Sequence, residues 1–161
     1  MTSRSRVLVA LRVDATPDDA FRAFTDEIGE WWRPNGLFQF TDGRTGRLRF
    51  DPGPRGRLVE IYDDGSTFVI GSVRTWEPPH LLVLTWRHAS FAPDQATELH
   101  VRFTASGDQT RVSVEHYGWD SIPAEHAARH GFALNVFQLR FAEWWQSLLQ
   151  ALRDRLGDRE Q

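Results

Sequence analysis

The spacing of apolar residues along this chain changes character three times, and each change marks an element. Residues 5–13 (SRVLVALRV) are rich in Val and Leu and predict a first strand. TPDDAFRAFTD follows with the signature of a helix start. Thr16 can cap, Pro17 suits the first helical position, and Asp18 and Asp19 complement the positive helix end, while Ala20, Phe21 and Phe24 form one apolar face. A second short helix is expected over Glu27–Trp32, stopping before Pro34.

From residue 44 to 117 the period becomes two. Strands are predicted at 45–50, 56–62, 67–76, 81–88, 96–104 and 110–117, separated by DPGPRG, DDGS, EPP, ASFAPDQ and ASGDQ. Six consecutive strands with short connections imply an antiparallel meander. After residue 130 the period lengthens again. Leu134, Phe137, Phe141, Trp145, Leu148, Leu152 and Leu156 recur every three or four residues, as on a long amphipathic helix, with Arg153 and Arg155 in the last turn and Gly157 as the expected stop. The order is strand, two short helices, six strands, one helix. A curved seven-stranded antiparallel sheet with two short helices, wrapped around a long C-terminal helix, satisfies it: an α+β chain in which concave sheet and apolar helix face bury one another.

Composition narrows the function. The 161 residues, 40% hydrophobic and 25% charged, fit one domain over 1–161, with sheet and short helices at 5–117 and the long helix at about 131–156. A net charge of −3 argues against a nucleic-acid binder, and the interleaving of Asp42 and Asp51 with Arg44, Arg47, Arg49, Arg55 and Arg57 reads as a solvated face. All basic residues are arginine. Without cysteine there is no disulfide, thiolate metal site or cysteine nucleophile. No secretory signal and no run near ~18 apolar residues is present, so a cytoplasmic protein without membrane insertion is expected.

Four stretches carry a family resemblance: VDATPDDAFRAFTDEIGEWW, GRLVEIYDDG, VRTWEPPHLLVLTWR and TRVSVEHYGW. The V-x-x-W-E-P-P-x-x-L-x-x-x-W pattern at 73–86 is the most specific. Together they resemble the START-like (SRPBCC, helix-grip) superfamily, in the branch of the heat-shock-protein-90 ATPase activator homologues (AHSA-like). The resemblance implies a helix-grip fold enclosing an apolar cavity between sheet and C-terminal helix. It implies binding of a hydrophobic or aromatic small molecule, lipid- or polyketide-like, with a cyclase or hydratase as one alternative. The other is a stress-response co-chaperone acting on a chaperone ATPase, although no feature beyond the resemblance speaks for a chaperone partner. The stretch SIPAEHAARHGFALNVFQL before the last helix is longer than is common in the family.

Candidate site residues follow from strand alternation. Leu99, Val101 and Phe103 share a face, as do Val112, Val114 and His116, which makes His116 an inward polar residue. If Leu58, Glu60 and Tyr62 face inward, Glu60 could meet His116 as a ligand anchor or an acid–base pair. The simpler reading is that each is satisfied locally. Arg74, Trp76 and Trp86 fall with Phe68, Ile70 and Ser72 on one alternation face, and Arg74, if inward, would need a carboxylate or an anionic ligand. The expected ligand-binding set is Trp32, Phe38, Glu60, Arg74, Trp76, Trp86, His116, Trp119 and Phe141, with no catalytic residue assigned. EWWRPNGLFQF at 30–40 reads as the doorway of the grip, one tryptophan packing under the long helix and the other facing the opening. Its aromatic content is also enough to fill a modest cavity outright.

His126 and His130 stand four apart, a spacing that would put both on one helix face. The glutamate precedes the first histidine, unlike H-E-x-x-H, and a solvated surface pair is the expected reading; no metal and no cofactor are predicted. Nucleophile-elbow, phosphate-loop and dinucleotide motifs are absent. A homodimer through the strand edge or the aromatic loop is a further expectation, since exposed edges invite pairing.

Overall fold

The computed structural model describes residues 6–158. Its elements are β1 (Arg6–Val13), α1 (Pro17–Asp26), α2 (Ile28–Trp31), β2 (Arg47–Phe50), β3 (Arg57–Ile61), β4 (Thr67–Glu77), β5 (Leu81–Trp86), β6 (Thr97–Ser106), β7 (Gln109–Tyr117) and α3 (Leu134–Asp158). Single 3₁₀ turns at Trp119–Ser121 and Ala127–Arg129 join β7 to α3. The seven strands form one antiparallel sheet in the order β1-β7-β6-β5-β4-β3-β2, so β1 crosses to pair with the last strand. This is the α+β arrangement of curved sheet and long helix that the periodicity predicted, and the helix grip that the resemblance implied.

Local chemistry explains the boundaries. The Thr16 hydroxyl accepts from the Asp19 amide at 3.2 Å, capping α1. The α3 stripe buries Phe137, Phe141, Trp145, Leu148, Leu152 and Leu156, and Trp144 and Leu149 widen it. Gly157 does not stop the helix, which runs to the end of the described residues, and Arg155 there pairs with Glu27 at 2.8 Å.

The registers stack inward residues into rows. Leu84, Leu99 and His116 lie across β5, β6 and β7, and Leu82, Val101 and Val114 form the next row. These rows face α3 and make one continuous core, as alternation requires.

Alternation fails in β4, where two irregularities shift its register. Ile70 is extra between the pairs Val59↔Val69 and Leu58↔Gly71, and Arg74 is extra between Val73↔Leu84 and Thr75↔Val83. An added residue flips everything beyond it to the other face. Arg74 therefore points outward and is exposed, contrary to its predicted place among inward residues, and needs no buried partner.

Candidate functional site

Aromatic rings fill the space between sheet and helix. Trp86 stands on β5 with its ring 5.4 Å from His116, 5.9 Å from Trp145, 6.0 Å from Trp32 and 5.2 Å from Phe40. Trp119, in the turn after β7, packs on His116 at 5.4 Å, Phe137 at 4.6 Å and Phe141 at 5.2 Å. Phe38 stacks on Trp144 at 5.2 Å. Six of the nine predicted residues thus meet in one cluster: Trp32, Phe38, Trp86, His116, Trp119 and Phe141, all buried. The interior expected to enclose a cavity is occupied here by side chains.

The other three lie apart. Arg74 is on the outer surface. Trp76 packs edge-on against Phe21 at 5.1 Å, where α1 meets the sheet. Glu60 does face inward and is buried, but it does not meet His116. Its carboxylate accepts from the Tyr62 hydroxyl at 2.6 Å and from the Gly46 amide at 3.1 Å. Burial, with the Glu60 carboxylate next, pushes the Tyr62 hydroxyl up to about 12. Beside Glu60, a crevice of about 10 Å³ runs between Trp32, Phe38 and Trp144, room for about one water.

His116 has a different partner. The Thr97 hydroxyl donates to Trp86 O at 2.9 Å and stands 2.7 Å from His116 Nε2. With its one proton committed to the carbonyl, Thr97 can only accept from the ring, so Nε2 of His116 carries the hydrogen and Nδ1 holds a lone pair. Desolvation keeps this fully buried ring well below the usual histidine range, hence neutral. Nδ1 is buried without a partner, as are the indole nitrogens of Trp86, Trp119 and Trp145. By contrast, Trp31 donates to Ala23 O at 2.9 Å and Trp144 to Arg33 O at 3.0 Å.

An open cavity of about 600 Å³ lies at one end of the grip, between residues 36–42, 88–90 and 125–131. Of EWWRPNGLFQF, expected at the doorway, Gly36, Leu37, Gln39 and Phe40 line this opening. Trp31, Trp32 and Phe38 are instead packed behind it, and both tryptophans are buried.

The inner wall is His88, which sequence reasoning did not single out. It sits two residues beyond Trp86 and so continues the inward alternation of Leu82, Leu84 and Trp86; that was the available signal. Its ring packs on Phe40 at 5.4 Å, Phe91 at 5.5 Å and Trp119 at 5.7 Å, joining cavity to cluster. Nδ1 lies 2.9 Å from Gln39 O, a carbonyl that can only accept, so Nδ1 bears the hydrogen. Nε2 is left with a lone pair, buried and unpartnered. Desolvation lowers the ring to about 4.

The long connection after β7 closes the outer side of the cavity. His126 and His130 do not share a helix face: they bracket the turn Ala127–Arg129, His126 capping its start and His130 ending it in the left-handed region at φ 54°. His126 Nδ1 accepts from the Ala128 amide, so Nε2–H donates to Ser90 O at 3.0 Å. His130 Nε2 donates to Leu37 O. Both rings tie this strap to the facing loops. Arg129, also missed from sequence, holds the strap's own shape: it is buried and donates to Ile122 O at 2.6 Å, Phe132 O at 2.7 Å and Trp119 O at 3.4 Å. Among the described residues, no group of three or more His, Asp or Glu is placed to hold a metal ion.

Comparison with known proteins places these features. Residues 14–157 match the family described as Activator of Hsp90 ATPase homolog 1-like protein. No curated protein sequence matches the chain. Among solved structures, the self-sacrificing resistance protein CalC from Micromonospora echinospora is 26% identical with a TM-score of 0.62, over 97% of this chain and 96% of that one. PFC0360w, an HSP90 activator from Plasmodium falciparum, is 19% identical with a TM-score of 0.61, over 94% and 96%. The Aha1 dimer from Colwellia psychrerythraea is 18% identical with a TM-score of 0.61, over 94% and 96%.

Proposed function

The chain belongs to the family of Activator of Hsp90 ATPase homolog 1-like proteins, and from that premise we propose that it binds a hydrophobic or aromatic small molecule at the open end of its helix grip. The observation that carries this reading is the cavity of about 600 Å³ whose inner wall, His88, rests directly on the aromatic cluster. Its volume falls within the range of small-molecule sites, roughly 300–1,000 Å³, and its lining joins Leu37, Phe40, Ala89, Ala127 and Ala128 to a larger set of polar and charged side chains, His88, Asp42 and Glu125 among them. Trp32, Phe38, Trp86, Trp119 and Phe141 form the apolar ground behind it, able to repack around an inserted ring. Turnover finds less support. Glu60 and His116 are each taken up by other partners, and neither is placed to relay a proton to the other.

Thermal-shift titration with naphthalene and related aromatics tests the proposal, with native mass spectrometry of protein as purified. Ala89 is exposed and lines the cavity, so Ala89→Trp should obstruct it without disturbing the core. A dose-dependent rise in melting temperature that vanishes in Ala89→Trp supports binding there. No rise with any aromatic sinks it. A role on a chaperone ATPase, as the neighbour described as an HSP90 activator suggests, would run through the surface. Stimulation of such an ATPase, retained in Ala89→Trp, would favour that reading instead.

A further inference from the structure

Taking the cavity as a binding site, we infer that it selects a neutral hydroxylated aromatic, a phenol or naphthol, whose hydroxyl hydrogen is donated to Nε2 of His88. Three observations meet at this ring, whose Nε2 a ligand reaches by parting the rings packed on it. His88 lines the cavity and is 2% exposed. Its Nδ1–H is committed to Gln39 O, which fixes the tautomer and leaves Nε2 as an acceptor. That acceptor has no partner. A buried polar atom without a hydrogen bond is a costly exception in folded proteins, and a ligand that supplies the missing donor recovers the loss.

The surroundings decide what else the ligand can be. Phe40, Phe91 and Trp119 pack around the imidazole at 5.4–5.7 Å, so the group reaching Nε2 must sit on a flat ring that can pack among them. Asp42 and Glu125 are the carboxylates that line the cavity, and no arginine lines it, so a carboxylate or phosphate meets repulsion and no counter-ion. Protonating His88 to receive an anion is also unfavourable, since burial holds the ring neutral. His126 cannot compete for the hydroxyl, because both of its nitrogens are already bonded, and the Nδ1 of His130 belongs to an exposed ring that water can satisfy. The cavity therefore distinguishes a phenol from its bare hydrocarbon by one donor, and from an aryl carboxylate by charge.

Three probes of one ring size test this at pH 7 by calorimetry: naphthalene, 2-naphthol and 2-naphthoate. We expect 2-naphthol to bind about tenfold more tightly than naphthalene, the scale of one hydrogen bond to an otherwise orphaned buried group, and 2-naphthoate to bind more weakly than 2-naphthol. His88→Phe should erase the preference for 2-naphthol while naphthalene keeps its affinity. Because that variant removes a buried hydrogen bond and could fail to fold, the wild-type protein supplies an independent readout. The ¹⁵N resonance of His88 Nε2 should move upfield from the lone-pair position when 2-naphthol is added, and stay in place with naphthalene. Equal affinity for naphthalene and 2-naphthol, an unmoved Nε2 resonance, or 2-naphthoate binding as tightly as 2-naphthol would each overturn the inference while leaving the cavity a binding site. Binding of none of the three would overturn both.

Discussion

Thr97 lies 2.7 Å from His116 across neighbouring strands, and that contact sets the hydrogen positions at the centre of the cluster. The hydroxyl serves two buried groups at once, Trp86 O and His116 Nε2–H. Thr97→Val keeps the shape and orphans both. We expect a loss of about 2–3 kcal/mol in urea unfolding at pH 7.5, whereas Thr97→Ser should stay within about 1 kcal/mol of wild type. Equal stability of the valine and serine variants would show that the hydroxyl is dispensable.

Stability should fall as the solution is acidified through the histidine range. His88 and His116 are both neutral when buried, with folded values of about 4 and well below 6.5, whereas in the unfolded chain each protonates near 6.5. Below that pH the unfolded state binds more protons, so stability is complete above about 6.5 and is lost as pH drops toward 4. At about 1.4 kcal/mol per pH unit, His88 alone accounts for on the order of 3 kcal/mol across this window. Urea midpoints at pH 7.5, 6.0 and 5.0 check the direction, and a flatter slope in His88→Phe assigns the share.

Arg129 should matter to stability although its own side chain does not line the cavity. Its guanidinium serves three carbonyls of the strap and lies over the Phe137 ring at 5.4 Å. Arg129→Met leaves those carbonyls unpaired, and a loss of about 2–4 kcal/mol is expected. Hydrogen exchange should accelerate at residues 119–132 and remain slow in β6 and β7. Lysine should rescue little, because a single ammonium cannot span the fork.

Gly71 admits no side chain. A Cβ built there would lie 1.7 Å from Thr85 O, where the irregular strand β4 draws its backbone against β5. Gly71→Ala should abolish cooperative folding or cost more than about 3 kcal/mol, read by circular dichroism melts. A variant melting near wild type would mean that the sheet can open at this point.

What could be read in advance follows from which forces are periodic. Leu82, Leu84, Trp86 and Leu99, Val101, Phe103 alternate because one side of the sheet is dry, and α3 repeats its large residues because one stripe is buried; both patterns survive in sequence. Arg74 was misplaced because the extra residue Ile70 in β4 leaves no mark on composition yet reverses the facing of the residues after it. His116 was read as inward and is buried, and Glu60, whose facing alternation left open, is buried too; their partners, Tyr62 and Thr97, depend on distances that no periodicity encodes. His126 and His130 have helical spacing, and a 3₁₀ turn ending in a left-handed residue made them two separate ties. Whether aromatics fill a space or line it is a matter of volume, which residue types alone do not determine.

The pairing of β1 with β7 also bears on how the chain finds its fold. Arg6 lies opposite Tyr117, so the first strand can complete the sheet only after the last has been laid down. Closing a loop of that span costs entropy before any contact repays it, so this seam forms more slowly than the local pairings of the β2–β7 meander. During synthesis β1 must wait, its apolar side uncovered, until β7 has left the ribosome. Substitutions that weaken the β1–β7 seam should therefore slow folding or raise aggregation in the cell even where they leave the finished cavity untouched.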